Sequence, residues 1–176
     1  MYTFKAGWFV IYTKPQHEKK VCATLLKEKI VSYLPTTKKL RTWCDRKKYI
    51  ESPLFPSYVF VHLTNVQSYL QSLHIDGILY YLRFGKKIAT ISETVIENIK
   101  KITRYGCEVE ISQEVFHKGM TLLIQDGPFT GMNCEVVQYQ GKDKIIVRID
   151  LLNRNILLNL SADTVLNTPL ALMHSV

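Results

Sequence analysis

Pro53-Leu54-Phe55-Pro56-Ser57-Tyr58-Val59-Phe60-Val61-His62-Leu63 is the stretch on which the reading of this chain turns. Its two prolines hold the approach extended, because the residue before a proline is pushed out of the helical region. From Ser57 it becomes an aromatic and β-branched run, the composition of a core strand. Along that run Tyr58, Phe60 and His62 alternate with Val59 and Val61, so one set faces the core and the other faces outward. A module of about 100 residues cannot hide this many aromatics on both faces. Some are expected at the surface, where an aromatic patch marks a protein partner.

Working outward, Gly7-Trp8-Phe9-Val10-Ile11-Tyr12 reads as a second, central strand. Pro15 stands where a helix could begin. From His17 to Ile30, the residues Val21, Cys22, Leu25, Leu26 and Ile30 recur at helical spacing, with Lys20 and Lys27 opposite them beside Thr24. The spacing predicts an amphipathic helix with a basic outer face. Val31 to Pro35 reads as a strand. Thr36 to Lys48, with Lys38, Lys39, Arg41, Arg46, Lys47 and Lys48 against Asp45 alone, reads as a two-stranded hairpin or a mobile basic loop.

Residues 65–75 are predicted helical, and Gly77 to Phe84 returns to strand before the turn Gly85-Lys86-Lys87. A last helix is predicted from Ser92 to about Tyr105. Ser92 caps it, Val95, Ile96, Ile99 and Ile102 form its buried stripe, Lys100, Lys101 and Arg104 gather at its C-terminal end, and Gly106 stops it. The order β-α-β-β-α-β-α predicts an α+β domain over residues 1–105, with helices on a mostly antiparallel sheet. Residues 106–117 break the pattern, carry three acids and are read as a linker. Beyond Lys118, short runs at Met120–Ile124, Asn133–Gln138, Lys144–Asp150 and Arg154–Leu160 alternate with turn residues. They predict a small closed all-β barrel of SH3-like size over 118–176.

The net charge of +8 is unevenly placed. Residues 1–58 hold 12 Lys and Arg against 4 Asp and Glu, so they carry the whole excess. That points to a phosphate-bearing partner near the N-terminal module. Cys22, Cys44, Cys107 and Cys134 form no C-x-x-C pair and the five histidines are scattered, so neither a metal site nor a disulfide framework is expected. No nucleophile–base pair or carboxylate dyad appears, and the chain is read as a non-enzyme without cofactors. It has neither a signal sequence nor the roughly 18 apolar residues that span a bilayer, so a cytoplasmic protein without membrane contact is expected.

Several ordered motifs together resemble a known family. Trp8-Phe9-Val10-Ile11-Tyr12-Thr13-Lys14, paired with Leu54-Phe55-Pro56-Ser57-Tyr58-Val59-Phe60 and followed by Arg83-Phe84-Gly85, resembles the start and heart of the NusG N-terminal domain. Lys118 to Gly131, with Gly127-Pro128-Phe129 between, resembles the KOW motif, whose glycine matches Gly131. The wording Pro-Leu-Phe-Pro-x-Tyr-x-Phe is closer to the specialised RfaH, LoaP and UpxY antiterminators than to housekeeping NusG. The resemblance covers nearly the whole chain.

The resemblance implies a monomeric transcription elongation and antitermination factor acting at specific operons. An apolar surface at Tyr12, Leu54, Phe55, Tyr58, Phe60 and Phe84 would dock on the clamp helices of the RNA polymerase β′ subunit and suppress pausing. Lys14, Lys20, Thr24 and Lys27 would face the non-template DNA strand. The KOW barrel would bind a ribosomal protein or another factor, and no all-helical form of it is expected. Two places depart from the pattern: Ser68-Tyr69-Leu70 stands near a His-Thr-Thr element, and Asp76 replaces a basic residue beside the glycine matching Gly77. The competing reading is a KOW-type RNA- or ribosome-binding protein without polymerase docking.

Overall fold

A computed structural model describes residues 4–42, 47–104, 109–115, 117, 119–123 and 133–159. The chain divides into two compact units, Met1–Gly106 and Cys107–Val176. The architecture is mixed α and β, with three helices and antiparallel sheets.

In the first unit, strand β1 (Gly7–Thr13) is the centre of the sheet and leads through a turn to helix α1 (Glu18–Lys27). Val21 and Leu25, four apart on one helix face, are fully buried, whereas Leu26 is 55% exposed. Leu26 was expected on the buried stripe, but it lies about 100° around the helix from Leu25 and falls off it. Lys29, at φ 59°, closes the helix. This left-handed residue lets the Ile30 amide reach the Leu25 carbonyl, so that Ile30 buries beneath the last turn.

Strand β2 (Val31–Tyr33) is followed by the basic segment, which forms a separate two-stranded ribbon of β3 (Thr36–Thr42) and β4 (Lys47–Pro53). Then β5 (Tyr58–Leu63), helix α2 (Val66–Leu73) and β6 (Ile78–Tyr81) complete the order β2-β5-β1-β6. A hairpin of β7 (Arg83–Phe84) and β8 (Lys87–Ile88) leads to β9 (Thr90–Ile91), which pairs with β1. Helix α3 (Glu93–Arg104) follows, started by Ser92 Oγ, which accepts the Val95 amide at 3.4 Å.

Both faces of this sheet are covered. Phe9, Ile11, Val59, Val61 and Leu63 pack with Val21, Leu25, Ile30 and Ile75. By alternation Trp8, Val10 and Phe60 point the other way, and they are buried too. Helix α3 lies over that second face: Lys100 Nζ sits 5.2 Å above the Trp8 ring, and Thr103 Oγ1 is 2.8 Å from Tyr33 Oη. Its Ile96, Ile99 and Ile102 have no exposed surface.

The second unit is one antiparallel sheet in the order β10-β14-β13-β12-β11. Its strands are β10 (Val109–Ser112), β11 (Met120–Leu123), β12 (Asn133–Tyr139), β13 (Lys142–Ile149) and β14 (Arg154–Asn159). The expected linker therefore contains a strand: Val109 to Ser112 pair with Leu158 to Asn155. Glu110, one of the acids that suggested a linker, instead binds Lys144 Nζ at 2.5 Å. Glu135 ties β12 to β13 through two hydrogen bonds from Arg148, at 2.7 and 2.8 Å, and also accepts the Gly119 amide. A side chain at 119 would strike the Val136 carbonyl oxygen at 1.9 Å, which fixes glycine there. Gly131 and the proposed turn around it lie outside the described residues.

Candidate functional site

Three tyrosines meet at one end of the α3 side of the sheet. Tyr12 on β1 stands opposite Tyr58 on β5 and Tyr80 on β6 in the strand register. Its ring is stacked on Tyr80 with centroids 5.0 Å apart, and meets Tyr58 edge-on at 5.2 Å. Both are favourable geometries for rings with a negative face and a positive rim. The alternation that buries Val10 and Phe60 carries this ladder along the same face. Tyr12 and Tyr58 are half-buried and Tyr80 is 51% exposed, so the ladder presents ring surface outward. Phe84, in the β7–β8 hairpin, is 82% exposed.

Of the six aromatic and apolar positions expected at the surface, three are core instead. Leu54, Phe55 and Phe60 are all nearly or fully buried. Phe60 meets Phe55 edge-on at 6.1 Å and Tyr33 at 6.3 Å, while the Leu54 amide donates to the Pro35 carbonyl at 2.8 Å. They pack beneath the loop before β5. Tyr80 takes a place that the sequence did not assign. In Tyr80-Tyr81 the two rings are indistinguishable until pairing with β1 sends Tyr81 into the core and Tyr80 out.

The loop before β5 is set by a buried charge. Ser57 has φ 65°, and its amide donates to Glu18 Oε1 at 2.7 Å. Its carbonyl accepts from the Thr13 amide at 2.8 Å. A carboxylate in the first turn of α1 thus holds the entry to β5, and with it Tyr58, beside the end of β1.

The basic positions gather around α1. Lys20, Thr24 and Lys27 follow one another at spacings of four and three along one helix face. Lys14, at the end of β1, joins Lys20 through a shared acid: Asp76 Oδ1 accepts from Lys14 Nζ at 3.2 Å and Oδ2 from Lys20 Nζ at 2.8 Å. The Lys20 and Lys14 hydrogen bonds, in that order, hold the Asp76 carboxyl down at about 2. Thr24 donates its hydroxyl to the Lys20 carbonyl at 2.9 Å, a bond within its own helix. Lys27 is exposed and makes no ion pair among the described residues. All of the charged groups here stand well into solvent, with side chains 50% to 63% exposed for Lys14, Lys20 and Asp76.

The Asp76 loop, between α2 and β6, is fixed in place. Gly77 has φ 98°, and a Cβ there would meet Val21 Cγ2 at 3.0 Å and His17 Cβ at 3.2 Å. Its carbonyl accepts from the Lys14 amide at 2.8 Å. Only glycine fits this turn without displacing α1. Among the described residues, no group of three His, Cys, Asp or Glu side chains could hold a metal ion, and no helix is long and apolar enough to cross a membrane.

Comparison with known proteins follows the same lines. A family model described as transcription termination factor nusG matches residues 6–100. The transcription termination/antitermination protein NusG of Lactococcus lactis subsp. lactis (strain IL1403) is 29% identical over 169 residues, covering 86% of this chain and 88% of that protein. Among solved structures, NusG of Thermotoga maritima aligns at 18% identity and a TM-score of 0.46, covering 88% of this chain and 94% of its own. The MjSpt4:Spt5 complex aligns at 14% identity and a TM-score of 0.33, covering 87% of this chain and 99% of its own. The matched family region spans more than half of the sequence, including every strand of the first sheet and the first two-thirds of α3, and the chain belongs to the NusG family of transcription factors.

Proposed function

We propose that the chain is an elongation and antitermination factor of the specialised kind, which docks on the β′ clamp helices of RNA polymerase through Tyr12, Tyr58, Tyr80 and Phe84. The observation that carries this reading is the ladder of three tyrosines in register, two of them partly exposed and Tyr80 half-exposed. Aromatic rings with a polar tip are the side chains that concentrate binding energy at protein interfaces. Lys14, Lys20, Thr24 and Lys27 lie against the exposed non-template strand, which the basic excess of residues 1–58 favours. The second unit serves as the KOW module, an SH3-like barrel that recruits a ribosomal protein or another factor, and the whole acts as a cytoplasmic monomer without catalysis.

The test is a pull-down of core polymerase together with an elongation assay on a template carrying a terminator. The Tyr58→Ser, Tyr80→Ser double variant should lose association and read-through while its circular dichroism stays unchanged. A folded double variant that still binds polymerase and still promotes read-through would overturn the docking surface.

A further inference from the structure

Asp76 stands among the basic positions of the candidate DNA face, and both of its oxygens are engaged by them. We propose that Asp76 is a built-in counter-ion that screens Lys14 and Lys20, so that a nucleic-acid strand gains these two lysines only by exchanging a phosphate for the Asp76 carboxylate. The inference rests on the reading of this face as a nucleic-acid contact and adds to it a residue that limits indiscriminate binding.

The geometry supports an exchange rather than an incidental surface pair. The two lysines come from different elements, the end of β1 and the first turn of α1, and converge on one group 62 and 56 positions away in sequence. The carboxylate cannot drift from them, because Gly77 locks the loop against His17 and Val21, and the Lys14 amide holds the Gly77 carbonyl. A phosphodiester carries one negative charge, as the carboxylate does, so each can replace the other on the same ammonium groups. With Asp76 in place the three-residue cluster has a formal charge of +1 instead of +2. Phosphate binding gains from the counter-ions it releases, and a face already holding its own anion releases fewer.

The experiment measures binding of the full-length protein to a fluorescein-labelled single-stranded DNA of mixed sequence and about 12 nucleotides, across a salt series. Asp76→Asn should tighten binding by roughly three- to tenfold at about 50 mM salt. It should also steepen the slope of log K against log salt by about 0.7, the value of one added phosphate contact to a single strand. Asp76→Glu, which keeps the charge, should behave as the native protein. Adding Lys14→Ala and Lys20→Ala to the Asn variant should remove the gain. Unchanged or weaker binding by a folded Asp76→Asn variant overturns the proposal, as does a Glu variant that matches Asn. The triple variant Lys14→Ala, Lys20→Ala, Lys27→Ala separates the two readings. If it binds with native affinity and slope, the nucleic-acid face itself falls; if it weakens while Asp76→Asn changes nothing, only the counter-ion role falls.

Discussion

Asp76 shows what a single position can and cannot disclose. That an acid stands at this position was visible in the sequence. Its partners, Lys14 and Lys20, were not, because nothing local connects a strand end, a helix turn and a distant loop. A carboxyl held at about 2 stabilises the fold above its ordinary value of 3.8, and that contribution disappears as pH falls through about 2. In a carboxyl NMR titration, Asp76 should therefore show a midpoint near 2 in the native protein. In the Lys14→Ala, Lys20→Ala variant the midpoint should return towards 3.8, since both causes of the depression are gone. An unshifted midpoint would mean that the two lysines do not reach the carboxylate in solution. Gly77 gave the complementary signal: a glycine beside a turn is easily noticed, but its need comes from His17 and Val21 on another element.

For whole elements, periodicity was a good guide to what forms and a poor one to which face is covered. The stripe Ile96, Ile99, Ile102 and the runs of β1 and β5 are where alternation and helical spacing place them. Yet the alternation along β5 gave two sets of side chains without saying that α3 would lie over one of them. The family resemblance put Phe60 on the outer surface, whereas it lies fully buried against Phe55 and Tyr33. Strand β10 was missed for the opposite reason. The alternation of Val109 and Ile111 was present, but the neighbouring acids outweighed it, and the strand pairing that sets Glu110 against Lys144 could not be read locally. These positions predict contrasting variants. Phe60→Ala should cost about 3–5 kcal/mol in urea denaturation, through lost burial and an unfilled cavity. Tyr80→Ala, at a half-exposed rung, should cost about 1 kcal/mol or less. Equal costs would show that the two rings do not differ in burial.

Across the whole molecule, the excess of positive charge belongs to residues 1–58, which supply Lys14, Lys20 and Lys27 as well as the β3–β4 ribbon. The tyrosine ladder, on the same unit, is a surface of aromatic rings rather than of charge. The two kinds of surface respond differently to ions, which yields a discriminating experiment. Between about 50 and 200 mM salt, binding to isolated single-stranded DNA should fall steeply while binding to core polymerase persists. If polymerase binding falls in parallel with DNA binding, the protein recognises phosphates alone and the competing RNA-binding reading gains. The ladder also bears on what association demands of the free protein. Tyr12 is held between its two neighbours, at 5.0 and 5.2 Å, on three hydrogen-bonded strands. Each ring turns about only two side-chain bonds, and packing against the next restricts both. Immobilising a floppy side chain at an interface costs about 0.5–1.5 kcal/mol. Here folding has already done much of that ordering, so a partner meets a surface with little rotational freedom left to lose.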